Sequence, residues 1–546
     1  MAKEVRQIKI ESILGGHAPT THFARPDQFR ASLGIDPAQP INDSLSDVNG
    51  RVASGLLRPV AAGALSTVST TLADAPLWIR SNPKTATYYV YDIDGSVYSI
   101  ENTVNSITPV GDLNDGGTAR GNGCEYYDNY MYFARSTTVA RYGPLNGTAA
   151  FTDDYWAATL SKTALVDTSY PVVVTNKPLP NHVLHRHSDG RLYIADVVGN
   201  QGTIHYIQTT KTTVEGDTDN GSTYNALDLG YGLWPTAMET YGNNLVIALS
   251  ERATNPGTYK SAKIAFWDTT SSSPNQIVWV EFPDNLITAL KNINGVLYVG
   301  SGNPSGVGFR ISRYVGGYTF EEVAYVETGT PPYQGAVDGD STRLLFGSST
   351  EVPVDAPAVY SYNLQKSGVG NGIFNVFRAT GDSNATVTAL IIDKFRGGDG
   401  NTARTPIVGW HTTTSGGSSG IDTADPTGYT DGSYNHVNQM WWSQLYRIGQ
   451  PFKITKIRIP LAQPLATGMS IIPKIYIDSG AGSDTLTTID STNYGTSRQT
   501  VVIRPENLTG DNDFWLQLMW AGSVLCTVAL PITIEYELLD VDSAYV

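Results

Sequence analysis

Six times between residues 88 and 348 the chain repeats one local pattern: a run of tyrosines or aliphatics, a turn rich in Asp, Asn or Gly, then an alternating apolar strand. The copies are YYVYDIDGSVYSI (88–100), YYDNYMYFAR (126–135), LHRHSDGRLYIAD (184–196), METYGNNLVIALS (238–250), ALKNINGVLYVGS (289–301) and AVDGDSTRLLFGS (336–348). Asp-Gly, Asn-Gly and Gly-Asn pairs supply the positive-φ positions of a tight hairpin, and the alternation that follows marks a strand with one buried face. The turns fall near residues 94, 128, 189, 243, 294 and 341. Four of the five intervals are therefore about 50 to 60 residues, a period that in an all-β chain predicts a β-propeller built of four-stranded blades.

Further hairpins fit inside these units, at TIHYIQT (203–209), AKIAFWDTT (262–270), FRISRYVGGYTFEEVAYVE (309–327) and AVYSYNL (358–364). ATVTALIIDKF (385–395) and RTPIVGWHTT (404–413) form either a seventh blade or the closure of the sixth, so six or seven blades are expected. The composition agrees: 54 Gly, 29 Pro and 31 Tyr, with only 16% charged residues, favour short strands and turns over helices.

Around the propeller (66–395, with an insertion at 151–180) the texture changes. Residues 1–65 are punctuated by Gly and Pro and form an extended N-terminal arm, with one short helix expected in DQFRASLGI, ending near Gly34. Such an arm has no partner for its own backbone groups, so it lies on the body of the protein or on a neighbouring subunit. Residues 396–436 are rich in Gly, Ser and Thr and are expected to be a linker. Residues 437–546 alternate cleanly, as in LPITIEYELL (530–539), and are expected to form an antiparallel β-sandwich or jelly-roll.

Charge narrows the function. A net charge of −15 opposes attraction to phosphate backbones or anionic membranes, so a nucleic-acid clamp is not expected. Cys124 and Cys526 belong to no CxxC or disulfide framework and are expected as buried free thiols. The sequence offers no secretory h-region and no apolar stretch long enough for a bilayer span, which predicts a soluble chain made in a cytoplasm.

Few residues carry obvious chemistry. His182, His185 and His187 lie close enough for a three-imidazole zinc site, yet no carboxylate or cysteine stands at a recognised spacing and the segment follows the repeated template. They are assigned to the blade. Asp217, Asp219 and Asp228 resemble a calcium loop, but Gly221 comes one place early and the twelfth position is not Glu, so a surface turn is expected. The chain has no sialidase box, HExxH or P-loop. No catalytic, cofactor-binding or metal residue is assigned. Aromatic residues stand out in the insertion (Tyr155, Trp156, Tyr170) and at Trp441 and Trp442, where an interface and ordinary packing are equally open.

The order of parts, with SGLLRPV (54–60), the opening YYVYDIDGSVYSI and YDNYMYFARSTTVARYGPL (127–145), resembles the β-propeller tail nozzle or tail hub proteins of short-tailed bacteriophages over roughly residues 50–400. The sandwich at 440–546 departs from that group. The resemblance implies a non-enzymatic virion structural protein, made in the host cytoplasm and assembled as a cyclic homo-oligomer, most commonly a hexamer, around the DNA exit channel. It implies an adaptor ring and tail fibres as partners, transient passage of genomic DNA without specific binding, and no membrane insertion. A receptor- or glycan-binding tail protein, a capsid decoration protein and a propeller glycoside hydrolase are the alternatives.

Overall fold

The computed structural model describes residues 5–12, 16–18, 26, 28–33, 56–57, 66–69, 72–85, 87–100, 107–113, 123–135, 139–153, 155, 173–174, 177–178, 182–198, 201–208, 226–252, 259–271, 277–302, 308–326, 329–341, 343–351, 356–364, 372–379, 385–393, 406–412, 418–423, 439–478, 482–524 and 526–539. The chain forms two units, one of residues 66–358 and 379–423, the other of 1–65, 359–378 and 424–546.

In the first unit the hairpin turns fall where the sequence puts them. Asp128 and Asn129 take φ of 43° and 69°, and Asn294 and Gly295 take 53° and 77°, the left-handed pair that matches the twist of flanking strands. Each such hairpin joins the first two strands of a four-stranded antiparallel sheet. The first blade holds Pro76–Asn82, Thr87–Asp92, Ser96–Ile100 and Ile107–Asp112. The second holds Gly123–Tyr127, Tyr130–Ala134, Val139–Gly143 and Ala150–Thr152. The third runs Leu184–Arg186, Arg191–Val198, Gln201–Gln208 and Leu227–Tyr231. The fourth runs Leu233–Tyr241, Asn244–Arg252, Tyr259–Trp267 and Val278–Phe282. The fifth runs Leu286–Ile293, Val296–Gly302, Phe309–Gly316 and Thr319–Val326. A sixth opens with Val337–Gly339 and Arg343–Glu351.

The seventh blade settles the open question of closure. Ala385–Ile392, Pro406–Thr412 and Ser419–Thr423 pair in order, and Ser66–Ser69 supplies the fourth strand. The unit is a β-propeller whose last blade is completed by its own N-terminal strand. Two sequence expectations change here. Residues 419–423 lie in the segment read as a linker, yet they form a strand with Ile421 fully buried; pairing on both sides overrides a Ser/Gly-rich composition. The turn near residue 94 joins the second and third strands of its blade, whereas the other five join the first and second. The first blade's equivalent turn lies between Asn82 and Thr87, which brings the first interval close to the others.

Apolar clusters fill the space between neighbouring blades. Tyr91, Cys124 and Phe133 join the first to the second, Tyr132, Leu184 and Leu192 the second to the third, and Tyr193, Ile247 and Trp267 the third to the fourth. Val246, Phe266 and Leu297 join the fourth to the fifth. Ile79, Tyr88 and Val90 meet Ala389, Ile407 and Ile421 across the seam between first and seventh. There Thr388 Oγ1 donates to the Pro76 carbonyl at 2.6 Å, and Tyr88 hydroxyl donates to Asp393 Oδ1 at 2.7 Å.

The second unit is a two-sheet sandwich. One sheet orders Val5–Ile10, Ile532–Leu538, Phe452–Pro460 and Thr500–Ile503; the other orders Gly16–His17, Gln28–Leu33, Gln439–Ser443, Asp513–Trp520, Ser470–Ile477 and Gly482–Thr485. Phe452 and Phe514 meet between the sheets, with ring centroids 5.5 Å apart. The helix expected in DQFRASLGI is instead the strand Gln28–Leu33, because antiparallel pairing with Gln439–Ser443 buries Phe29 and Ala31. The described strands of the N-terminal arm thus pair within this chain: Val5–Ile10 pairs Ile532–Leu538, and Leu56–Leu57 pairs Val528–Ala529.

Candidate functional site on the propeller axis

In a propeller the first strand of each blade turns one edge toward the axis, and its backbone groups there need partners. This chain supplies them itself. Leading into the first strand of the sixth blade, residues 331–338 are all buried and include a 3-10 turn, Gln334–Ala336. Gln334 Oε1 accepts the Leu290 N–H at 2.7 Å, and its Nε2 donates to the carbonyls of Leu290 at 3.1 Å and Met238 at 3.3 Å. One amide thereby ties the inner strands of the fourth and fifth blades. Its neighbour Gly335 abuts the first blade, where a Cβ would lie 2.0 Å from the Leu77 carbonyl oxygen. The chain plugs its own axis.

Next to this plug lies a girdle of ionisable side chains. Arg80, Glu125, His185, Glu239, Lys291 and Asp338 come from the inner strands of blades one to six in order, each three residues ahead of its hairpin turn. They pair across neighbouring blades. Arg80 Nε lies 3.7 Å from Glu125 Oε2, His185 Nε2 lies 3.8 Å from Glu239 Oε1, and Lys291 Nζ lies 2.9 Å from Asp338 Oδ1. Asp338 Oδ2 also accepts the Ile392 N–H of the seventh blade at 2.9 Å.

Enclosure and charge set the ionisation of these groups. Burial pushes His185 down to about 4, against the pull of Glu125, and raises the Glu239 carboxyl, against Lys291. Burial also works against the Lys291 charge, but Asp338 and Glu239 outweigh it and the pKa rises. Counting His185 as neutral, the girdle carries two cations against three carboxylates. Each formal charge faces an opposite one on an adjoining blade, except that Glu239 meets the neutral imidazole of His185 and the more distant Lys291.

The three histidines separate. His182 is fully buried, with Nδ1 3.2 Å from the Ala195 carbonyl and 3.8 Å from Asp196 Oδ1. Asp196 also meets His205 Nε2 at 3.3 Å, a residue that sequence reasoning did not single out. His185 Nε2 and His187 Nδ1 both contact the Thr240 hydroxyl of the fourth blade, at 2.8 and 2.9 Å. Among the described residues no group of three or more His, Cys, Asp or Glu is arranged to hold a metal. Nor do Thr240, His185 and Glu239 form a nucleophile triad, because hydroxyl and carboxylate approach the same imidazole nitrogen; a triad needs the carboxylate on the opposite one.

Other candidates take structural places. Asp228 lies on Leu227–Tyr231 in register with Thr203, while Asp217, Asp219 and Gly221 fall outside the described residues. Tyr155 packs on Tyr132 with the Arg141 guanidinium 3.8 Å above its ring; Trp156 and Tyr170 fall outside the described residues. Trp441 is buried in the sandwich, and Trp442 stacks on Tyr476 at 4.7 Å. Cys124 and Cys526 are free and buried. No described helix is long and apolar enough to cross a membrane.

Solved structures similar to this chain include two of low identity. The Cps50 (Swd1) β-propeller domain of Myceliophteria thermophila is similar at 10% identity and a TM-score of 0.40, over 66% of this chain and 100% of that one. The computationally designed Ika8 protein is similar at 14% identity and a TM-score of 0.36, over 66% of this chain and 98% of that one. No family model and no curated protein matches the chain.

The plug gives a direct expectation for Gln334→Leu. The change keeps the bulk but strands one N–H and two carbonyls at a buried site, where each unmade bond costs about 1 kcal/mol or more. A loss of roughly 3 kcal/mol in the propeller's denaturant unfolding transition is expected.

Proposed function

We propose that this chain is a non-enzymatic structural protein of a bacteriophage tail, a ring-forming nozzle or hub component around the DNA exit channel. The observation that carries the non-catalytic part is the filled axis. Propeller hydrolases use paired carboxylates about an open channel; here Glu125 and Asp338 face cations at 3.7 and 2.9 Å, Glu239 faces the His185 imidazole, and Gln334 holds the space beside them. The assignment to a tail rests on the sequence resemblance. At −15 per chain, a ring presents DNA with a surface that it slides past without sticking.

Native mass spectrometry of the purified full-length protein tests this reading. A closed cyclic oligomer, a hexamer first, is the expected result; a stable monomer that is absent from assembled particles contradicts it.

A further inference from the structure

One hydroxyl joins the third blade to the fourth at the girdle. Thr240 Oγ1 lies 2.8 Å from His185 Nε2 and 2.9 Å from His187 Nδ1, so two imidazoles of one blade share a single hydroxyl of the next. A hydroxyl has one proton to give. With both rings neutral, it donates to one imidazole and accepts N–H from the other. With one ring protonated, that ring donates to the oxygen and the hydroxyl proton still has the second ring to go to. With both protonated, two N–H groups point at one oxygen, its proton has no acceptor between the rings, and two cations face each other across it.

We propose that this shared hydroxyl is a proton-operated latch on the seam between the third and fourth blades, closed while the pair holds at most one added proton and released when it holds two.

The surroundings act in the same sense. His185 faces Glu239 from the fourth blade, Glu125 from the second, Lys291 from the fifth and Arg80 from the first. His187 faces Asp189 and Arg191 of its own hairpin, Glu239, the backbone of Asn243, and the edge of Tyr193. Burial first, with Asp189 opposing, lowers His187, as burial lowers His185 to about 4. For each histidine the folded pKa lies below the unfolded value, so its contribution to stability is complete above about pH 6.5 and drains away as pH falls, for His185 toward about 4. Glu239 is raised, so its own titration returns some stability as pH falls, but once protonated it no longer holds an imidazolium in place.

Hydrogen exchange of the full-length protein between pH 7 and 4, corrected for the intrinsic pH dependence of amide exchange, tests the latch. Amides of 184–186 and 237–241 are expected to lose at least tenfold in protection below about pH 5 while those of 286–293 keep theirs. The His185→Gln, His187→Gln double variant is expected to lack that selective loss. Thr240→Val is expected to loosen the same amides already at pH 7, and Thr240→Ser to behave as the parent. Unchanged protection of the parent down to pH 4, the same acid-induced loss in the double variant, or a Thr240→Val protein with the parental profile overturns the proposal.

Discussion

Gly335→Ala is expected to cost the propeller more than about 4 kcal/mol and to leave little folded protein at 37 °C. The added Cβ would lie 2.0 Å from the Leu77 carbonyl oxygen and 3.2 Å from its carbon, both backbone atoms of the first blade's inner strand. No side-chain rotation relieves such a contact. Either that strand moves out of register with Thr87–Asp92, or the plug lifts and takes Gln334 from its partners on Leu290 and Met238. Gly190 is the matched control for side-chain bulk alone, since nothing lies within 4 Å of a Cβ there, although its φ of +84° adds a local backbone cost. Thermal unfolding followed by circular dichroism should separate the two, with the Gly335 variant far lower.

Ile421→Asp should be comparably severe, at about 5 kcal/mol. Ile421 has no exposed surface and packs in the seam with Ile79, Tyr88 and Val90 of the first blade and Ile407 of the seventh. Losing a buried aliphatic costs about 2 to 5 kcal/mol, and a carboxyl placed there without a partner adds about 1 to 3. Its strand is also the one that receives Ser66–Ser69, so a weakened seam releases the strand that completes the blade. Val315→Asp, at a position about half exposed, is expected to stay within about 0.5 kcal/mol of the parent.

Residue by residue, the sequence was most informative where local chemistry and tertiary structure agree. Asn294-Gly295 and Asp128-Asn129 announce hairpins because their backbone needs are local. Ser419–Thr423 and Gln28–Leu33 differ from expectation for the opposite reason: neither has the composition of a strand, and pairing makes each one, with Gln439–Ser443 for Gln28–Leu33 and with both Pro406–Thr412 and the remote Ser66–Ser69 for Ser419–Thr423. The plug was illegible as well. TPPYQGAVDGD has no periodicity, and the value of Gln334 lies in three hydrogen bonds to blades that are remote in sequence.

The girdle was within reach. An ionisable residue stands three places before the turn in each of the first six blades, but the first copy was aligned on the wrong hairpin, which hid Arg80. The consequence of the histidine cluster lies in its spacing and not in its density: His185 and His187, two apart, reach the same Thr240 while His182 turns into the blade interior.

The central claim, a propeller-bearing ring in a phage tail, is tested most directly by a reconstruction of virions that contain this protein. Copies of a seven-bladed disc arranged in a closed ring around the tail axis are expected, each disc with density filling its own centre at Gln334. Discs placed singly on the capsid surface would contradict it.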